Sequence, residues 1–400
     1  NVWQDIHRYN DRLTTFNNTT ITLKQLIMKK HIILVMLALI TCAGANAQKY
    51  LGGDISLLPT YREKGTTYKT ADGKEKCPYK LFTEAGWNAM RVRLFVEPDN
   101  APQGNKDEGV CQDLPYVIKL CKQIKAHGFK LMLDFHYSDT WADPGKQFTP
   151  KAWDEAIAGK SKDEQVKILA DSVYAHTLNA LNALKQAGAE PDFIQVGNEI
   201  TFGMLWPTGR VEPTKADNWP ALLTFLNAGV KACRQACPKA QIIIHTEHAQ
   251  DWNATEGYYA KLRDGKLDYD IIGLSYYPMW HGTIKHLDVV LDSLKTTFNK
   301  PVMIVETAFY YSHENDIWEK DPNHYSDLYP ISAEGQRRFT EELVTMLNKH
   351  DDVTGLFWWF PEENESGSTV VKSWLNRGLF DNHTGKTLPA MDEFSKFINQ

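Results

Sequence analysis

The stretch that decides the fold is PDFIQVGNEITFGMLW, residues 191–206. An apolar run of the kind buried in parallel sheets ends here directly on Asn198 and Glu199, whereas an ordinary connection from strand to helix carries Gly, Pro, Ser or Asp. Aromatic and apolar residues follow the pair, among them Phe202 and Trp206. A carboxylate between a buried strand and aromatic side chains is typical of a sugar-binding cleft.

A second predicted strand also ends on a glutamate. It lies in the run KPVMIVETAFYY and closes on Glu306. Either glutamate alone could be a solvated or salt-bridged residue. Two carboxylates facing each other over a cleft are the groups that glycosidic bond hydrolysis requires, so the pair Glu199 and Glu306 indicates a catalytic site.

Short apolar or β-branched runs alternate with helical patterns along the rest of the chain. The eight predicted strands lie near residues 50–56, 88–96, 130–136, 193–199, 241–245, 270–277, 302–307 and 355–360. Helices are predicted over 114–127 and 333–349. A capping box at Ser161 and Glu164 predicts the start of a third, long helix. No linker interrupts the alternation, so we predict an α/β fold with a single (β/α)8 TIM barrel over residues 48–400.

Polar and aromatic side chains collect at the predicted ends of these strands, where a barrel of this kind carries its site. The candidates for substrate binding are Asp54, Arg91, Arg93, His136, Asp139, Trp141, Asn198, His245, Tyr277, Trp280 and Trp359. Charges on so many strands are hard to explain as packing, because barrel interiors favour Val, Ile and Leu. His136 and His245 could instead be hydrogen-bonded core residues. Arg91 and Arg93 could hold carboxylates in place without touching substrate.

The first 47 residues have the features of an export signal preceded by extra sequence. Met28 is expected to be the true start, which makes residues 1–27 a non-native or untranslated upstream segment. Residues 28–47 form a predicted signal peptide with a basic start, an apolar run too short for a membrane span and a small-x-small cleavage site at 45–47. The sequence therefore predicts a secreted or periplasmic protein. A membrane anchor, or a lipid anchor on Cys42, is the alternative.

The net charge of the chain limits the classes of partner that it can bind. The formal net charge of the chain is −6, and removing the basic leader leaves about −9. An acidic protein is a poor match for nucleic acid or an anionic membrane surface. We expect a monomer whose partner is a polysaccharide.

Several runs resemble glycoside hydrolase family 53, the endo-β-1,4-galactanases. They are HYSDTWADPGKQ, QVGNEITFGMLWPTG, GLSYYPMWHGT, VET, GLFD and LPAM, and the likeness covers residues 51–391. The resemblance implies a retaining (β/α)8 enzyme that acts on β-1,4-galactan, a side chain of pectin. It also implies a role for each of five residues: general acid/base for Glu199, nucleophile for Glu306, a bond to the sugar 2-hydroxyl for Asn198, positioning of Glu306 for Tyr277, and the floor of the cleaved subsite for Trp359.

Retention sets demands on the two glutamates. Their carboxyl groups should lie about 5 to 5.5 Å apart. Glu306, near Arg91 or Arg93 and Tyr277, should stay charged, while the pKa of Glu199 should be raised.

A metal site is the point where the sequence departs from some relatives. Some bacterial members of the family bind calcium through an acidic loop after the seventh strand. The corresponding run here, SHENDIWEKDPNHYSDLYP, lacks a closely alternating acidic pattern. Asp316, Asp321 and Asn323 could still coordinate a cation, but we expect no metal and no cofactor.

Two other functions stay open. The same barrel could be a mannanase or a xylanase, because the orientation of one sugar hydroxyl is not legible in these residues. A catalytically inactive glycan-binding protein would be expected to lack one of the two glutamates, and both are present.

Overall fold

Eight parallel strands close into a barrel in the computed structural model, with each strand bonded to the next and the last to the first. The strands are β1 (Tyr50–Asp54), β2 (Ala89–Leu94), β3 (Lys130–Phe135), β4 (Phe193–Val196), β5 (Gln241–Thr246), β6 (Ile271–Tyr276), β7 (Val302–Thr307) and β8 (Val353–Trp359). The structure describes residues 48–313, 328–367, 370–371 and 374–398. The predicted (β/α)8 barrel is confirmed.

Helices connect the strands. In the described ranges they are α1 (Leu58–Glu63), α2 (Pro78–Glu84), α3 (Gln103–Asp107), α4 (Leu114–Ala126), α5 (Lys151–Ile157), α6 (Lys162–Gln186), α7 (Trp219–Ala236), α8 (Trp252–Asp264), α9 (Pro278–His281), α10 (Ile284–Phe298), α11 (Ala333–Leu347) and α12 (Ala390–Phe394), with 3₁₀ turns at Pro98–Asn100 and Ser395–Phe397. The predicted capping box is present, because Ser161 accepts from the Glu164 backbone and its own N–H donates to the Glu164 carboxylate. None of the helices within the described ranges is long and apolar enough to cross a membrane.

The barrel interior changes from apolar to polar along its axis. The apolar layer consists of Ala89, Met132, Phe193, Ile243, Ile271, Met303, Val305 and Phe357. Two residues further along four of these strands lie Arg91, Asp134, Gln195 and His245, all fully buried. Because side chains alternate along a strand, these four polar residues point into the same interior, one step nearer the C-terminal end. A polar layer thus lies directly beneath the strand exits.

A bulge in β7 directs Glu306 into the barrel. Leu274 of β6 pairs with Ile304, but Ser275 pairs with Glu306, so β7 has one extra residue at this point. Without the extra residue, Val305 would oppose Ser275 and the glutamate would face the helices. Bulges re-aim side chains in this way next to active sites.

Strand β4 is shorter than the predicted 193–199. It ends at Val196 because the backbone of Gly197 has φ 87° and that of Glu199 has φ 48°. A left-handed backbone cannot continue a β-strand. The glutamate therefore stands on a turn at the strand exit.

Candidate active site

A cavity of about 480 Å³ opens at the C-terminal ends of the strands. Its walls include both predicted glutamates, Glu199 and Glu306. Six of the predicted binding residues also line it: His136, Trp141, Asn198, Tyr277, Trp280 and Trp359. A concave site with two carboxyl groups and several aromatic side chains suits a carbohydrate ligand.

Glu199 is partly exposed and held in an unusual backbone conformation. A positive φ is uncommon for a residue with a side chain, and such strain is often found at functional sites. The Ser275 hydroxyl donates to its Oε1 atom at 2.6 Å. Burial raises the pKa of Glu199 well above its usual range, and the charges of Glu306 and Glu247 raise it further. This confirms the expected direction and suits a proton donor.

Glu306 is held by two hydrogen-bond donors. Arg91 Nη2 lies 2.9 Å from Oε1, and the Tyr277 hydroxyl donates to Oε2 at 2.9 Å. Burial nevertheless raises the pKa of Glu306 to about 7, although Arg91 and Tyr277 lower it. Arg91 and Tyr277 thus favour the charged form of Glu306, in the expected direction, and burial opposes them. Arg93 does not contribute, since it binds Asp54 instead.

Arg91 organises the polar layer beneath the cavity. Its guanidinium bonds to Asp54 at 2.9 Å, to Asp134 at 2.8 Å and to the Asn198 side-chain oxygen at 2.8 Å. Arg91 and these two aspartates are fully buried. A buried guanidinium with this many acceptors keeps its charge and fixes the acceptors around it.

Five predicted binding residues are not on the cavity wall: Asp54, Arg91, Arg93, Asp139 and His245. Asp54 joins the two arginines, with its second oxygen 2.7 Å from Arg93 Nη1. Asp139 accepts from the backbones of Glu97 and Lys151 and so ties loops together. The arginines and His245 contact residues of the cavity wall from beneath it, and Asp54 holds the arginines in place.

The histidines take two different positions. His136 lines the cavity, but its Nδ1 accepts from the Ala142 backbone and its Nε2 lies 3.1 Å from Asp134. His245 is fully buried, and its two ring nitrogens contact Gln195 and Ser275 at 2.8 Å. Both rings are hydrogen-bonded within the protein, which matches the alternative stated from the sequence.

Aromatic rings form one side of the cavity. The ring centroids of Trp359 and Trp374 are 4.5 Å apart, and Trp141 lies 6.0 Å from Trp359 on the other side. Trp280 contacts Trp374 at 5.5 Å. Adjoining indole rings of this kind provide faces on which sugar rings stack.

Sequence reasoning missed several residues that the structure brings to the site, and four of them bear on its chemistry. Trp374, Glu247 and His248 line the cavity, and Ser275 bonds Glu199 from below. Glu247 has a visible signal, because it comes two residues after His245 at the exit of the fifth strand. Trp374 has none, since it belongs to a long loop after β8 without any periodic pattern.

No cluster of three or more His, Cys, Asp or Glu residues suited to a metal ion is found in the described ranges. Asp316, Asp321 and Asn323, the calcium candidates, lie outside those ranges.

Comparisons with known proteins agree with this geometry. Residues 50–394 match the family described as Glycosyl hydrolase family 53. An arabinogalactan endo-beta-1,4-galactanase of Cellvibrio japonicus is 34% identical over 386 residues, which cover 91% of this chain and 96% of the relative. The solved catalytic domain of a family 53 enzyme from Ignisphaera aggregans is 30% identical, with a TM-score of 0.78 over 89% of this chain and 98% of that one. A structure from a study of two fungal beta-1,4-galactanases is also 30% identical, with a TM-score of 0.70 over 87% of this chain and 99% of that one. The chain belongs to glycosyl hydrolase family 53.

Proposed function

We propose that this protein is an exported retaining endo-β-1,4-galactanase that cleaves β-1,4-galactan, the type I arabinogalactan of pectin side chains, by double displacement. The observation that carries the proposal is the contrast between two glutamates on one cavity wall. Glu306 accepts from a cation and a phenol, while Glu199 accepts from a serine and faces other carboxylates. The names of the family relatives supply the substrate.

In the first step the two glutamates act together. Ionised Glu306 attacks the anomeric carbon, and the bond from that carbon to the glycosidic oxygen breaks. The leaving oxygen takes the proton of Glu199. The products are a glycosyl ester on Glu306 and a shortened chain with a free hydroxyl.

In the second step Glu199 is a base. It removes a proton from water as the water oxygen attacks the anomeric carbon, and the ester bond to Glu306 breaks. The raised pKa of Glu199 depends partly on the negative charge of Glu306, which the ester removes. The pKa of Glu199 thus falls at the stage when the reaction needs this carboxyl ionised. A carboxyl separation of about 5 to 5.5 Å stays a prediction of this mechanism.

Three residues are proposed to hold the sugar whose bond is cleaved. Asn198 would bond the 2-hydroxyl through its amide, one hydrogen of which already goes to the Ala142 carbonyl. Tyr277 would keep Glu306 below the anomeric carbon. Trp359 would provide the floor, since its ring lies on the cavity wall beside Trp374.

Export is proposed from the sequence of residues 28–47, which lie outside the described ranges. Cleavage after Ala47 would release a chain that begins at Gln48. N-terminal sequencing of the protein from the culture medium or periplasm tests this. A mature chain that begins at Cys42 would instead indicate lipid attachment.

The substrate is tested by product release from β-1,4-galactan, β-1,4-mannan and β-1,4-xylan with the purified protein and its Glu306→Ala variant. Oligosaccharides from galactan alone, absent with the variant, are the expected result. Release from mannan or xylan would assign the runner-up specificity. Binding to galactan without any product would identify a glycan-binding protein.

A further inference from the structure

A chain of hydrogen bonds connects the barrel interior to Glu199. The Ser275 hydroxyl donates to Oε1 of Glu199 at 2.6 Å, and His245 Nε2 lies 2.8 Å from the same hydroxyl oxygen. Ser275 and His245 are both fully buried and lie off the cavity wall. These two side chains therefore act on Glu199 from behind, where substrate does not reach.

The hydrogen-bond partners of His245 determine which ring nitrogen carries its proton. Nδ1 faces two donors, the Gln195 side-chain amide at 2.8 Å and the Glu199 backbone N–H at 3.3 Å. The Gln195 amide cannot be reversed, because its oxygen accepts from Arg91 Nε and its nitrogen donates to Asp134 at 2.7 Å. Nδ1 is thus the acceptor.

The one acceptor near Nδ1 does not alter this assignment. Asn198 Oδ1 lies 3.0 Å from the ring nitrogen and could accept a hydrogen from it, but a hydrogen on Nδ1 would leave both the Gln195 amide and the Glu199 backbone N–H facing a donor. Burial and the charge of Arg91 hold the pKa of His245 well below its usual range, so the ring is neutral. Its single proton is on Nε2 and is donated to Ser275.

The direction of the hydrogen bond from His245 determines the direction of the hydrogen bond from Ser275. A serine hydroxyl has one hydrogen, and because the oxygen of Ser275 accepts from His245, that hydrogen goes to Oε1 of Glu199. No described residue donates to the other oxygen, Oε2, and Glu199 lines the cavity. The two oxygens of the carboxyl are therefore not equivalent.

We propose that Ser275, oriented by His245, places the acidic proton of Glu199 on Oε2, the oxygen that faces the glycosidic bond. Ser275 is a positioning residue, because it acts through Glu199 and does not touch substrate. The proposal rests on the acid/base role of Glu199 given under Proposed function. In the first step the proton passes from Oε2 to the leaving oxygen. Oε1 keeps its hydrogen bond from Ser275, and the negative charge that develops is spread over both oxygens of Glu199.

Loss of the Ser275 donor should affect only substrates whose leaving group must be protonated. Without the Ser275 donor, the proton of Glu199 is shared between two oxygens and the carboxyl is free to turn. Protonation of a sugar leaving group is then slower, whereas attack by Glu306 is unchanged. A dinitrophenyl leaving group departs without protonation and does not depend on where the proton lies.

The test compares two substrates for the Ser275→Ala variant. In kcat/KM, which reports the first step, we expect about a 10- to 100-fold loss on galactan and less than about a 3-fold change on 2,4-dinitrophenyl β-1,4-galactobioside. Thr246→Val is the matched control, since it also deletes a buried barrel hydroxyl, one that bonds Tyr259 instead of a glutamate. It should change neither value. Thermal unfolding midpoints of both variants show whether each is folded.

A pH profile gives a second reading. Ser275 lowers the pKa of Glu199, while Glu306, Glu247 and Asp143 raise it. Loss of the serine should therefore move the basic limb of kcat/KM on galactan to higher pH. Ser275→Cys keeps a weak donor and should lie between wild type and alanine in both readings, which keeps the test usable if alanine unfolds the barrel.

The outcomes separate the two proposals. Equal losses on both substrates, or a basic limb that does not move, would overturn the role of Ser275 while wild-type cleavage of galactan left the proposed function intact. A wild-type protein that hydrolyses the aryl galactobioside but no galactan would instead overturn the proposed function.

Discussion

Arg91 and Glu306 form a buried ion pair in which Nη2 of the arginine lies 2.9 Å from Oε1 of the glutamate. The same guanidinium binds Asp54 and Asp134, so one cation is shared by three carboxylates. Sharing weakens its hold on each, and burial then raises the pKa of Glu306 to about 7. The charged form of Glu306, the proposed nucleophile, therefore depends on Arg91 and Tyr277, which lower its pKa against the effect of burial.

Tyr277→Phe should move the acidic limb of the pH profile. The Tyr277 hydroxyl bonds the ionised carboxylate of Glu306 and lowers its pKa, so removing it raises that pKa. Because the proposed mechanism requires ionised Glu306, the acidic limb of kcat/KM should shift to higher pH by roughly 0.5 to 1 unit. Tyr276→Phe is the control, since its hydroxyl donates to Gly282 on the neighbouring loop. An acidic limb that stays in place would show that the phenol does not set the charge of Glu306.

Glu247→Gln should move the basic limb of the pH profile to lower pH, opposite to the shift expected for Ser275→Ala. The Glu247 carboxylate bonds Thr201 at 2.7 Å and His248 at 2.8 Å, and its charge raises the pKa of Glu199. Glutamine keeps the shape but not the charge, so the pKa of Glu199 falls and the basic limb should shift to lower pH. Glu108→Gln, on the same cavity wall, should leave the limb where it is. A shift of equal size in both variants would indicate a general charge effect.

Trp359→Ala should weaken use of the substrate without unfolding the barrel. The ring of Trp359 meets that of Trp374 edge to face on the cavity wall, and its loss should remove about 1.5 to 3 kcal/mol of contact with the sugar. That corresponds to roughly a 10- to 100-fold fall in kcat/KM on galactan. Trp153→Ala, beside His176 and off the cavity wall, is the control and should retain wild-type kcat/KM. Unchanged kcat/KM for Trp359→Ala would show that the indole of Trp359 does not contact the sugar.

Glu362→Gln should stabilise the protein at neutral and alkaline pH. Burial raises the pKa of Glu362 to about 8 from an ordinary 4.5, and its Oε2 has no hydrogen-bond partner among the described residues. Between these pH values the unfolded chain loses the proton while the folded chain keeps it, so stability falls as pH rises. Glutamine keeps the acceptor for the Leu57 backbone and does not ionise.

The gain for this variant should be about 1 to 3 kcal/mol at pH 8 and close to zero at pH 4.5, measured by urea unfolding. Glu63→Gln is the control, because the Glu63 side chain is 65% exposed. A gain for Glu362→Gln that does not depend on pH would contradict the buried-acid explanation.

Period-two alternation explains how much of the barrel is predictable from sequence. The spacing of Arg91 and Arg93 places both on one side of a strand, and both do bind Asp54. Strands with a continuous buried run, such as β7 and β3 after its exposed first residue, are found within a residue of their predicted bounds. The capping box at Ser161 was also predictable, because it depends only on residues that are close in the sequence.

The rest depends on events that leave no periodic signal. The bulge that turns Glu306 inward comes from one extra residue in β7, which is not visible in the run VMIVET. Trp374 lies in a loop and packs at the cavity against Trp359 and Trp280, which belong to other elements. Ser275 is a single hydroxyl in an apolar strand, and its role depends on the direction of each hydrogen bond behind it.

The most direct measurement is the configuration of the sugar released in the first seconds of galactan hydrolysis, followed by ¹H NMR before mutarotation. Double displacement through Glu306 predicts that the new reducing end appears as the β-anomer and converts to the α-anomer only later. Initial appearance of the α-anomer would mean a single displacement by water, and would contradict the assignment of Glu306 as nucleophile.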